Sequence, residues 1–117
     1  MWQEKRINRR VTVSLPINYE VLDREKNIDS TICKNISENG IKLVLKKFYS
    51  PKTKFLIKVD LEGINKIIET VAESVWSFNM HFSNLYYNGL HFDHINAPDR
   101  NALKEYLMMK EITSSGT

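Results

Sequence analysis

Two short stretches carry residue types at spacings that could do chemistry. In "NISENG" an amide, a hydroxyl and a glycine fall at fixed offsets, as Asn35, Ser37 and Gly40. In "KRINRR" two arginines, Arg6 and Arg10, stand four positions apart beside Lys5 and Arg9. Asparagine offers a carbonyl acceptor and two amide donors, and serine a hydroxyl that does both, so the pair can read a base edge. Arginine presents a planar fork that grips phosphate, or the O6/N7 edge of guanine, through two bonds at once. Glycine lets the backbone adopt a left-handed conformation, or lets a ligand approach closely. Taken together these groups match a guanine nucleotide. The plainer readings are a turn built from ordinary turn residues and a solvated basic tail.

Other chemistry is poorly represented. No nucleophile is paired with a base in a recognisable motif, so an enzyme is not expected. The best metal candidate is "HFDH", but on a strand His91 and His94 would lie on opposite faces, so neither a metal nor a cofactor is predicted. Cys33 is the lone cysteine; it has no partner for a disulfide and reads as a small core or wall residue. The net charge of +3 is localised: Lys5 to Arg10 contribute four cations and no acid, leaving the remainder at about −1. A general nucleic-acid binder spreads its basic residues along a face, whereas a concentrated cluster suits a small anion. An oligonucleotide-binding barrel would find stacking platforms in Tyr86 and Tyr87, but the slightly acidic body disfavours it, and no nucleic-acid partner is predicted.

The elements that must position these residues read as strands, then one helix. "VTVSLPINYEV" alternates strictly, with Val11, Val13, Leu15, Ile17, Tyr19 and Val21 on one face and Pro16 on the other, suggesting an edge or a bulge. "IDSTICKNI" predicts a second strand with Ile28, Ile32 and Ile36 inward, which turns Asn35 and Ser37 outward. Ile41, Leu43 and Leu45 share a face in the third, and Phe55, Ile57, Val59 and Leu61 in the fourth. The fifth, "NKIIETVAESVWSF", is mixed: Val71 and Val75 share a face with Glu69 and Glu73, and the facing of Trp76 is open. In "LYYNGLHFDH", Leu90 and Phe92 oppose His91 and Asp93. The period then changes. Pro98 and Asp99 suit a first helical turn, and Leu103, Tyr106 and Leu107 form a stripe widened by Ala102 and Met109. Short strands followed by one helix predict a small antiparallel barrel with the helix plugging one end or lying on the wall. The organisation expected is an N-terminal basic arm over 1–10, a barrel domain with closing helix over 10–112, and a disordered tail over 113–117.

With order and separation considered together, the chain resembles the PilZ domain family. Arg6 and Arg10 look like that family's RxxxR motif. Asn35, Ser37 and Gly40 look like its [D/N]xSxxG motif, and "SVW", "NGLHF" and the final helix also fit. The resemblance implies an all-β, six-stranded antiparallel barrel with a C-terminal α-helix, in a bacterial, cytoplasmic, stand-alone single-domain protein. It also implies cyclic di-GMP as ligand. Arg6 and Arg10 would clamp phosphate and guanine, Asn35 and Ser37 would contact the base, and Gly40 would hold the turn. Lys5, Arg9 and Trp76 would be accessory contacts. Many members carry Asp where this chain has Asn35, so a strong acceptor for guanine N–H groups is replaced by a weaker one.

The same resemblance implies signalling in trans to a protein partner, in motility or biofilm regulation, with no membrane partner. Residues 1–9 hold little apolar content besides Trp2 and Ile7, and the arm is expected to order when ligand binds. Ordering one backbone residue costs roughly 1–2 kcal/mol, and one charge-assisted hydrogen bond returns only about 1.5–3 kcal/mol. Several bidentate contacts are therefore needed to hold the arm down. The alternative is a degenerate barrel that keeps the fold as a protein-interaction adaptor without binding nucleotide.

Overall fold

The computed structural model describes residues 10–115 of the 117, with side chains through 111. Residues 1–9 of the basic arm, with Lys5, Arg6 and Arg9 among them, lie outside the described residues. Six strands follow in order: β1 (Val11–Val21), β2 (Asp29–Ile36), β3 (Gly40–Leu45), β4 (Lys54–Leu61), β5 (Lys66–Asn79) and β6 (Tyr86–His94). They pair antiparallel in the spatial order β1-β2-β3-β6-β5-β4 and close into a barrel. Closure removes exposed sheet edges. Pro16 is accommodated just beyond a bulge between Thr12 and Leu15, where β1 pairs with β2 and its pairing with β4 has not yet begun.

Strict alternation produces the interior. Leu15, Ile17 and Tyr19 of β1, Ile41, Leu43 and Leu45 of β3, and Phe55, Ile57, Val59 and Leu61 of β4 are all buried. Leu90 and Phe92 join them from β6. A single helix, α1 (Ala97–Ser115), follows. Asn96 caps it, its Oδ1 accepting from the Asp99 N–H at 2.9 Å, and Asp99 in turn accepts from the Glu69 N–H at 3.2 Å. Ala102, Leu103 and Tyr106 pack into the core, and Met109 reaches the β4–β5 turn at Gly63. The helix runs to Ser115, past the expected boundary at 112 and into the segment read as tail.

One strand departs from the sequence reading, and a second settles a mixed pattern. In β2 the inward residues are Cys33 and Ile36, while Ile28 and Ile32 lie 61% and 41% exposed. In β5 the inward set is Ile68, Thr70, Ala72 and Ser74, and Val75 is exposed. The β2 departure is caused by a bulge; in β5 the alternation is unbroken from Ile68 to Ser74, and Val71 and Val75 do share a face with Glu69 and Glu73, the outer one.

Candidate functional site

A strand that keeps period two places residues i and i+2 on the same face. Cys33 is fully buried, so an unbroken β2 would send Asn35 into the core as well. Instead, Cys33 pairs with Leu43 but Asn35 pairs with Lys42, so two steps on β2 match one on β3. Lys34 is the extra residue. Its insertion flips the alternation beyond it, turning Asn35 outward and Ile36 into the core. The buried Cys33 thiol donates to the Asn35 carbonyl at 3.1 Å and bridges the bulge from within. Burial pushes that thiol up to about 12, so it is a structural group and not a nucleophile.

The same device acts in β5. Ser74 pairs with Leu90 and Trp76 with Gly89, leaving Val75 as the extra residue. Without it, Trp76 and Phe78 would share the inward face of Ser74. With it, both stand outside, at 39% and 63% exposure, and Ser77 turns in to accept from the Tyr49 N–H at 3.4 Å. The indole lies across Gly89. A Cβ there would meet Trp76 Cε2 at 2.3 Å and Nε1 at 2.4 Å, so only glycine admits the ring this close to the sheet.

The two bulges place their residues in one row across the outer wall. Thr12 pairs with Asn35, Asn35 with Lys42, Lys42 with Gly89, and Gly89 with Trp76. Arg10 closes the near end, its Nη1 donating to Asn35 Oδ1 at 2.8 Å. Lys42 sits mid-row, its Nζ 4.2 Å from the centre of the Tyr87 ring. Phe78 flanks Trp76 with ring centroids 5.6 Å apart. The arrangement is therefore an open face: a guanidinium and an amide at one end, an ammonium in the middle, and an indole at the other. Two clefts lined by described residues, of about 350 and 320 Å³, include none of Arg10, Asn35, Lys42 or Trp76.

The turn from β2 to β3 corrects one expectation. Ser37 does not stand outside beside Asn35. It is 2% exposed, and its Oγ accepts from the N–H groups of Asn39 and Gly40 at 3.2 and 3.3 Å. The chain leaves the strand at Ser37, so the alternation that would point it outward has ended, and its hydroxyl serves the turn. Gly40 likewise acts by proximity: its φ is not positive, but a Cβ would stand 2.4 Å from the Leu90 carbonyl oxygen.

Of the residues singled out from sequence, Arg10, Asn35 and Trp76 are brought onto one face, with Ser37 and Gly40 beneath its corner. Lys5, Arg6 and Arg9 lie outside the described residues. Lys42, Gly89 and Phe78 were not singled out, and Tyr87 only as a platform for stacked bases. A mid-strand glycine was a usable signal for Gly89; nothing local marked Lys42. At "HFDH", Asp93 instead meets Lys54, which also pairs with Glu73 at 3.0 Å. Those contacts raise the Lys54 ammonium above its ordinary value. Among the described residues no group of His, Cys, Asp and Glu is placed to hold a metal.

The family model described as PilZ domain matches residues 3–109. The chain belongs to the PilZ domain family. Solved structures agree on the fold. The PilZ domain of YcgR from Escherichia coli, solved with c-di-GMP, superposes with a TM-score of 0.71 at 10% identity, covering 92% of each chain. The Bacillus subtilis inhibitor of motility MotI/DgrA gives 0.75 at 24% identity, over 89% of this chain and 49% of that one. The chain thus spans about half the length of that protein. The K. pneumonia MrkH complex with c-di-GMP gives 0.72 at 13% identity, covering 92% of this chain and 53% of that one. No curated protein matches the chain. No described helix is long and apolar enough to cross a membrane.

Proposed function

We propose that this chain is a receptor for cyclic di-GMP, bound on the outer face of β2, β3, β6 and β5. The observation that carries the reading is the 2.8 Å bond between Arg10 and Asn35 at one end of a continuous row. The two motif residues meet on the solvent side of the wall, where a planar anion can lie. Arg10, joined by Arg6 from the arm, grips phosphate and the guanine O6/N7 edge, and Asn35 offers its amide to the base. Lys42 adds positive charge under the phosphates. Trp76, lying over Gly89, supplies a stacking surface of the kind worth about 1–3 kcal/mol per base. Ser37 and Gly40 contribute by holding the turn that carries Asn35. On this reading the row is a recognition surface, and the protein senses the nucleotide and does not transform it. Binding orders the basic arm against the barrel, and the altered surface is read by a protein partner. YcgR and MrkH, which share the fold, were both solved with c-di-GMP.

Isothermal titration of the full chain with cyclic di-GMP tests this. Arg10→Ala and Asn35→Ala should abolish or severely weaken binding. Both side chains lie on the outer wall, where either substitution breaks the bond between them and leaves the core intact, so the thermal melt should move little. Absence of binding heat with the wild-type chain, at nucleotide concentrations well above those of a signalling ligand, would leave the adaptor reading standing in its place.

A further inference from the structure

A second row crosses the outer wall beside the row of Asn35, Lys42 and Trp76, and it is apolar. Pro16 pairs with Ile32, Val44 with Tyr87, and Tyr87 with Phe78. Val44, Tyr87 and Phe78 each stand two residues from Lys42, Gly89 and Trp76, so they face the same way at roughly 7 Å along their strands. Pro16, Ile32 and Phe78 are exposed, and Val44 and Tyr87 are half-buried. The middle of this row opens into a cleft of about 320 Å³, where Ile32 and Val44 meet Met80 and Leu85. Those last two flank the β5–β6 turn, which is closed by the Met80 N–H donating to the Leu85 carbonyl at 2.8 Å. Apolar side chains running across five strands, with a cleft among them, have the form of an interaction surface. None of the proposed nucleotide contacts uses it.

Charge and shape select the occupant. Lys34 and Lys46 line the cleft, and Lys42 stands over the Tyr87 ring at its border. The lining also holds Asp29, but its carboxylate is engaged, accepting from the Ser30 N–H at 2.8 Å and the Tyr19 hydroxyl at 3.5 Å. A second copy of this chain, face against face, would bring lysine against lysine, which opposes association. A membrane would meet the wall as a flat surface and leave the cleft unfilled. A protein segment fills the cleft with one side chain and matches the ammonium groups with carboxylates. We infer that this row docks an acidic segment of a partner protein, with one large apolar side chain seated among Ile32, Val44, Met80 and Leu85 and carboxylates on either side of it. As the output of signalling it rests on the reading above, while the contact itself uses no nucleotide.

Panning a phage-displayed library of random peptides against the full chain supplies the probe. The enriched peptide is synthesised, and its affinity is read by fluorescence anisotropy against the wild type, Ile32→Asp and Lys46→Glu. Both side chains are exposed, so the variants should melt with the wild type. The enriched sequences should share a large apolar residue flanked by Asp or Glu, and each substitution should weaken binding about tenfold or more. No enrichment, enrichment of basic or uncharged peptides, or equal binding to wild type and variants refutes the inference. Cosedimentation of the wild type with vesicles of equal parts phosphatidylglycerol and phosphatidylcholine, lost in Ile32→Asp, also refutes it and gives the face to a membrane. A dimer in sedimentation equilibrium that Ile32→Asp dissociates refutes it in favour of a second copy. Titration calorimetry with cyclic di-GMP on the same samples separates the two readings, since both variants should keep the wild-type binding heat. If no heat appears even for the wild type while the peptide pattern holds, the nucleotide reading falls and the docking surface stands.

Discussion

Substituting Gly40→Ala tests whether the β2–β3 corner is held by close backbone approach. The added methyl would stand 2.4 Å from the Leu90 carbonyl oxygen, an atom of the sheet that cannot rotate away. Restoring ordinary contact requires β3 and β6 to part by roughly 1 Å, since carbon contacts relax only near 3.5 Å. Overpacking of this kind costs about 1–3 kcal/mol. Two bonds beside the clash are strained as well: the Ser37 N–H to the Gly40 carbonyl at 2.9 Å, and the Phe92 N–H to the Asn39 carbonyl at 2.8 Å. At about 1 kcal/mol each, the total comes to about 3–5 kcal/mol. For a domain of this length each kcal/mol lowers Tm by roughly 4 °C, so the melt should drop by about 12–20 °C. Differential scanning calorimetry of the nucleotide-free chain reads this directly. A Tm within about 3 °C of wild type, on that same conversion, would mean that the strands yield freely and that glycine is needed here for some other reason.

Gly89→Ala makes the contrasting case, because its methyl meets the Trp76 side chain, which can swing off the wall. Its Tm should fall by only a few degrees, about 1 kcal/mol or less on that scale, while tryptophan emission shifts to the red and nucleotide affinity weakens; an unmoved indole signal would contradict the placement of the ring. Alkaline pH should destabilise the fold. Burial pushes the Cys33 thiol up to about 12, and burial with the nearby Asp29 carboxylate raises the Tyr19 phenol to about 12. In the unfolded chain these groups ionise near pH 8.5 and 10, respectively. The unfolded state therefore loses its protons first, and the stability present below about pH 8.5 is lost progressively as pH rises toward 12. Melts at pH 7.5, 9.5 and 10.5 should show a falling Tm, and Cys33 should resist iodoacetamide at pH 8 until denaturant is added; a flat Tm or rapid native-state alkylation would contradict the burial.

The barrel was legible because four of its six strands keep strict alternation over their buried length. Where Val11 to Val21 or Phe55 to Leu61 repeat at period two, no other arrangement buries those side chains together. The helix was legible through its change of period and its first-turn residues, though the cap itself, Asn96, went unremarked. What could not be read was the facing of β2 and β5. Alternation is a parity signal, and one inserted residue reverses it without leaving a local mark. Ile28 and Ile32 are apolar enough to look like core, yet the Lys34 bulge assigns the core to Cys33 and Ile36. Val75, likewise apolar, is spent on the bulge itself.

The failures of parity fall where the proposed ligand would lie, and this follows from what a closed barrel can offer. Its interior is filled by side chains, so a nucleotide must be recognised on the outer wall. An uninterrupted strand with Cys33 inside also buries Asn35, and one with Ser74 inside also buries Trp76. A small amphipathic face can then be built only by breaking the alternation, once in each strand that contributes. Two single-residue insertions do this while keeping the hydrogen-bonded ladder on both sides, and they bring Asn35 and Trp76 into register through Lys42 and Gly89. On the proposed reading the bulges are the structural cost of recognition, concentrated in the residues whose facing the period alone leaves undecided or reverses.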